Sequence, residues 1–222
     1  MKFISSHPAF NDTIDSLKNE FKDDHSNDLV VCGARDFSKT KLLYDFRQGY
    51  NKVIVFNQEP LLAKQKQFLH PGYFAWLKEA DEVWDYDEEN IKVLNLFRPG
   101  AKLHILKPYK KWPTACHKDI DVLFYGSMND HRRRILMAIA KHRKVKILEN
   151  CWDSKTLDEY ILRSRVLLNL HFFYETALQE QARMIRWIGS PARIISEPSI
   201  HNYLEVEELP ATAIVDMLTK EV

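Results

Sequence analysis

Short apolar runs rich in β-branched residues, such as KVIVF at 52–56 and DVLFY at 121–125, recur along this chain with helix-patterned stretches between them. Such runs read as strands buried on both faces, and their alternation with helices implies parallel sheets. The first half reads as strands at 2–5, 29–32, 52–56, 82–85 and 102–106. Its helices fall at 11–21 (where Ile14, Leu17 and Phe21 share a face), 41–46, 75–80 and 88–96. In the second half strands are predicted at 121–125, 145–148, 166–170 and 193–196. Helices are predicted at 130–142, 154–163 with Asp153 or Ser154 as N-cap, 176–188 ended by Gly189, and 213–218. Four or five strands per half is a common sheet size, so two sheets are expected. The segment 107–119, KPYKKWPTACHKD, has two prolines and clustered lysines and reads as a linker. The expected domains are 1–112 and 113–222, each a Rossmann-like α/β unit.

Composition narrows the class. Hydrophobic residues make up 45% of the 222 and aromatics 12%, enough for a packed core. A net charge of +1 says little about partners, and a nucleic-acid binder would need a local basic patch. Cys32, Cys116 and Cys151 are odd in number, far apart and in no CxxC pair. They read as reduced thiols and suggest no metal site. No run approaches the ~20 apolar residues of a membrane span, and the N-terminus does not read as a signal peptide. A soluble, cytoplasmic protein is expected.

Ligands of open α/β sheets bind beyond the carboxyl ends of the strands. There this chain carries polar loops: His7, Gly33 to Asp36 and Asn57 to Glu59 in the first half, and Gly126-Ser127, His171 to Thr176 and Ser196-Glu197 in the second. Gly126 and Ser127 lead into a helix that opens Asp130-His131-Arg132-Arg133-Arg134. A glycine after a strand lets backbone N–H groups approach an anion, and a helix N-terminus favours one. The arginines fit an anionic ligand there; they equally fit a solvated helix face. A helix starting near Thr176 would place Glu180 one turn in, where a carboxylate can accept two hydrogen bonds from a ribose diol or simply favour the helix dipole. Neither a Walker motif nor GxGxxG occurs.

The stretches DVLFYGSMNDHRRR, LLNLHFFY, LQEQARMIRWIG and RIISE, with VIVFNQEPL and DEVWDYDEENIKVL before them, resemble small GT-B fold glycosyltransferases of bacteria and tailed bacteriophages. The likeness is firmest from Ile120 to Pro198. It implies two Rossmann-like domains facing a central cleft and transfer of a sugar from a nucleotide-sugar donor, a UDP-sugar by preference, to a hydroxyl. Glu180 matches the family's ribose-binding glutamate, and Gly126, Ser127 and Arg133 match the region holding the diphosphate. Thr176 and Ala177 fall where backbone N–H groups meet the phosphates. His171, Tyr174 and Arg183 complete the implied donor side, and Glu197 matches a recurring polar position. Many relatives carry an acid eight residues before the glutamate; here that position is Phe172. The nucleotide sugar is a substrate, so the resemblance implies no cofactor and no catalytic metal. Asp85-Tyr86-Asp87 is a lone DxD in which Asp87 also suits a helix N-cap.

A hydroxyl acceptor under an inverting mechanism needs a base, and the first half offers His7, Asp36 and Glu59. The basic stretch with Lys107, Lys110 and Lys111 suggests a polyanionic acceptor. Phage relatives point to hydroxymethylated pyrimidines in double-stranded DNA, which require base extrusion. Cell-surface polysaccharide or a lipid-linked sugar is the alternative acceptor, and a non-catalytic nucleotide-binding module is the alternative class.

Overall fold

The computed structural model describes residues 1–62, 69–114, 117–173 and 177–220. They form two units, each around a five-stranded parallel sheet. The first unit comprises Met1–Tyr109 and Gln181–Ile185, the second Lys110–Glu180 and Arg186–Val222.

In the first unit β1 (Lys2–Ser5), β2 (Leu29–Cys32), β3 (Val53–Asn57), β4 (Glu82–Asp85) and β5 (Lys102–Leu103) lie in sequence order. Every residue of β2 and β3 is buried, as continuous apolar runs predict. On one face Leu29, Val31, Val53, Val55 and Val83 pack against Tyr73, Trp76 and Leu77 of α4 (Pro71–Glu79). On the other, Phe21 follows α1 (Asn11–Glu20) and stacks on Trp84 at 5.5 Å, and Trp84 stacks on His104 at 4.9 Å. The short helices α2 (Ala34–Phe37) and α3 (Tyr44–Arg47) lie between β2 and β3, and α5 (Glu88–Asn95) lies between β4 and β5. Strand β5 ends three residues before the expected Leu106, whose amide is taken by the Gln181 side chain at 3.2 Å. Gly33 leaves β2 with φ +70° beneath Ser6 and Phe10, a left-handed conformation that favours glycine.

In the second unit the sheet runs β10 (Glu207–Glu208), β9 (Arg193–Ser196), β8 (Ser164–Asn169), β6 (Ile120–Tyr125), β7 (Val145–Leu148). Counted within the unit this is the order 2-1-3-4-5, which reverses direction between β6 and β8. Helix α6 (Asp130–Ala140) packs Ile135, Leu136 and Ile139 with Ile214 and Leu218 of α9 (Ala211–Thr219) over Val122, Phe124, Leu168 and Ile195. Asp153 caps α7 (Ser154–Arg163) by accepting from the Thr156 amide at 2.7 Å.

The helix expected over 176–188 is not formed at that length: α8 spans only Gln181–Met184. The residues before it are engaged elsewhere. The Ala177 carbonyl accepts from the Ile200 amide at 3.0 Å, and the buried Gln179 side chain bonds Asn202 and the Leu204 amide. Beyond α8 the buried Arg186 donates to Asp158, the Ser154 carbonyl and the Ser154 hydroxyl. Arg186→Met keeps the volume and removes these bonds. It is expected to cost about 2 kcal/mol, read as a lower urea midpoint; an unchanged midpoint would show that the pairing adds nothing.

Candidate functional site

The carboxyl ends of β6, β8 and β9 converge at the reversal in strand order of the second sheet, where such folds open a crevice. Gly126 leaves β6 at φ +135°, and the Asn129 side chain then caps α6 by accepting from the Arg132 amide at 2.9 Å. Arg132 turns inward and is 1% exposed. Its Nε donates to the Leu170 carbonyl at 2.9 Å, Nη1 to the Ser127 carbonyl at 2.6 Å and Nη2 to Glu180 Oε1 at 2.9 Å. The guanidinium carbon lies 5.4 Å from the Phe124 ring centre and 5.3 Å from that of Phe172. Glu180 Oε1 also receives the Phe172 amide at 3.4 Å, and the glutamate side chain remains 24% exposed.

A second carboxylate organises the same strand ends. Glu197 Oε1 lies 2.7 Å from His131 Nε2, and its Oε2 accepts from the His171 amide at 2.7 Å. The His171 ring reaches back to the Glu197 carbonyl at 3.0 Å, and Asn129 Nδ2 donates to the Phe172 carbonyl at 2.9 Å. The loop after β8 is thus tied to the start of α6 and to the end of β9.

Of the residues the sequence assigned to the donor side, Gly126, Ser127, His171 and Glu180 come together here. Tyr174 and Thr176 lie outside the described residues. Ala177 is buried and precedes α8, so the helix N-terminus expected near Thr176 starts instead at Gln181, and Glu180 precedes the helix rather than lying one turn in. Arg183 sits on α8, within the first unit. Arg133 is 61% exposed and pairs with Asp130 at 3.4 Å; its neighbour Arg132 takes the inward position. That signal was in the sequence, because Arg132 continues the i, i+3, i+4, i+7 stripe of Ile135, Leu136 and Ile139.

The first unit holds its own polar strand ends. Glu59 pairs with Arg35 at 3.1 Å and is 20% exposed; burial raises its pKa against the lowering effect of Arg35. Burial also raises Asp36, but its contacts with Lys39 and Arg35 outweigh this and leave it below the usual range. His7 Nδ1 caps the 3-10 turn Pro8–Phe10 by accepting from the Ala9 amide at 3.1 Å. Glu59 therefore stands apart from the other two candidates as a sheltered carboxyl with a raised pKa.

Behind it lies a buried network that the sequence did not reveal. Asp85 accepts from Asn57 Nδ2 at 2.5 Å, the Asp87 amide at 2.9 Å and Asn90 Nδ2 at 3.1 Å. Asn57 in turn receives Tyr73 Oη and the Glu59 amide. Burial pushes Asp85 up to about 8 against these three donors. Asp87 caps α5 by accepting from the Glu89 amide at 2.8 Å, the capping role in the DxD.

Lys107 pairs with Glu20 at 2.5 Å and Lys110 with Asp158, so both cations are balanced within the chain; Lys111 is exposed. Cys32 and Cys151 are free thiols, and burial raises the Cys32 thiol; Cys116 lies outside the described residues. Among the described residues no three His, Cys, Asp or Glu side chains group to hold a metal ion, and no helix is long and apolar enough to cross a membrane.

No family model matches the chain. It is similar to three proteins of Acanthamoeba polyphaga mimivirus. The uncharacterized protein L140 is 27% identical over 93% of this chain and 74% of its own length. The uncharacterized proteins L138 and L137 are 28% and 30% identical over 72% and 71% of this chain, which spans only 18% and 24% of their lengths. None of the three names carries an activity.

Proposed function

We propose that the chain is a GT-B-type, nucleotide-sugar-dependent glycosyltransferase whose second unit binds the donor and whose first unit activates a hydroxyl acceptor. The carrying observation is the reversal in strand order at β6 and β8, where Gly126, the start of α6 and the Glu180 side chain, about a quarter exposed, meet. A nucleoside diphosphate suits these features: its phosphates meet backbone N–H groups after Gly126, and its ribose diol donates to Glu180. Glu59 is the base: among the three candidates it is the sheltered carboxyl, held by Arg35 just past the end of β3, with burial raising its pKa and so its proton affinity. The leaving diphosphate is stabilised by the dipole of α6 and by cationic side chains.

Glu180→Gln keeps an oxygen for Arg132 and exchanges the other carboxylate oxygen for a donor. UDP affinity measured by calorimetry is expected to fall ~10- to 100-fold, the worth of one charge-assisted hydrogen bond, with the fold intact. Unchanged affinity would remove Glu180 from the site. The reaction itself is tested by mass spectrometry with a panel of nucleotide sugars. The acceptor arms are DNA carrying 5-hydroxymethylcytosine or 5-hydroxymethyluracil, and polysaccharide. A sugar-mass gain in one arm names the acceptor class; donor binding without gain in any arm favours a non-catalytic nucleotide-binding module.

A further inference from the structure

Arginine is a costly residue to bury, because the cation loses its water and each donor then needs a partner. Arg132, 1% exposed, spreads its Nε, Nη1 and Nη2 over acceptors from three segments of the second unit. Ser127 lies in the loop after β6, Leu170 at the exit of β8, and Glu180 just before α8. Two of the acceptors are neutral carbonyls; the carboxylate among them is Glu180. The rings of Phe124 and Phe172 flank the guanidinium. A planar fork can meet three acceptors in fixed directions, whereas an ammonium is a point donor. The Nη2 contact reaches Glu180 Oε1, the oxygen that also receives the Phe172 amide, while Oε2 is buried and the side chain as a whole is about a quarter exposed.

From this geometry we infer that Arg132 is a positioning residue. It fixes the direction of the Glu180 carboxylate and the path of the Ser127 loop, so that ribose and diphosphate meet a prearranged site. The inference rests on the glycosyltransferase reading of the same site. Prearrangement strengthens binding by removing the ordering that the ligand would otherwise have to impose. Arg132 thus acts on the nucleotide through Glu180 and touches no ligand itself.

The test is a double-mutant cycle on the full chain with UDP as the probe. Arg132→Lys keeps the charge and loses the fork. It is expected to weaken UDP binding about 10-fold when Glu180 is present and less than 2-fold in a Glu180→Ala background, because the route of action is then gone. An equal loss in both backgrounds would show a merely structural arginine, and no loss in either would remove it from the site; both overturn the inference. Should Arg132→Lys melt below the assay temperature, Phe172→Leu enters the same cycle under the same criteria. Phe172 is 38% exposed, so its replacement loosens one face of the stack with little effect on the core. If Glu180→Ala alone leaves UDP affinity unchanged, or the unaltered protein does not bind UDP, the glycosyltransferase reading fails, and this inference with it.

Discussion

Gly33→Ala is expected to destabilise the first unit by about 3 kcal/mol or more. Two costs combine. At φ +70° any Cβ pays ~1–2 kcal/mol for the left-handed conformation. The added carbon would also stand 2.3 Å from Ser6 Oγ and 2.4 and 2.6 Å from two atoms of the Phe10 ring, and overpacking of this kind costs ~1–3 kcal/mol. Ser6 Oγ donates to the Gly33 carbonyl at 2.8 Å, so the turn has little room to yield. Gly100→Ala separates the two costs. That glycine has φ +86° with nothing within 4 Å of an added Cβ, so its replacement should show the conformational cost alone. Urea unfolding of both variants decides the matter. If Gly33→Ala loses no more than Gly100→Ala, the close approach of Ser6 and Phe10 carries no energetic weight.

The second large effect is one of pH. In an unfolded chain an aspartate titrates near 3.9, whereas burial holds Asp85 protonated up to about 8. Between these values folding takes up a proton, so stability falls as pH rises. The contribution of the neutral acid is complete below the unfolded value, declines at up to ~1.4 kcal/mol per pH unit and is gone above about pH 8. None of the three donors to Asp85 is a cation, and Asp87 beside it raises the pKa further, as a like charge does. Hydrogen exchange of the β3 and β4 amides from pH 6 to 8.5 should show protection falling with pH, after correction for intrinsic exchange rates. Asp85→Asn should flatten that decline by about one proton. Coincident slopes for the two proteins would mean that Asp85 is already ionised at neutral pH.

The strands were legible because parallel sheets buried on both faces leave continuous apolar runs, and KVIVF and DVLFY need no context to be recognised. Asp153 and Asp87 were legible as caps because capping is local chemistry. The candidate site was legible at Gly126, Ser127, His171 and its two acids, but not at the arginine that ties them together. Arg132 and Arg133 look alike in composition, and only helical phase assigns one inward and one to solvent. Asn57, Asp85 and Asn90 find each other across two strands and a helix, a pairing that no local window contains. The length of α8 was hidden for the same reason: the residues before it are held by Ile200, Asn202 and Leu204, and those tertiary bonds override a helical pattern.

Helix α8 belongs to the first unit although the chain has by then built much of the second. Gln181 supplies the donor that meets the Tyr86 carbonyl at 2.9 Å and the acceptor that meets the Leu106 amide. During synthesis, residues 1–109 leave the ribosome with both backbone groups waiting. Their partner follows roughly 4–15 s later at about 5–20 residues per second. The first sheet can therefore collapse early, yet the unit around it is completed only when a segment carried past 71 intervening residues comes back to it. No single cut of the chain yields both units whole, and a nick anywhere within 110–180 would leave the first unit held to its own last helix by contacts alone.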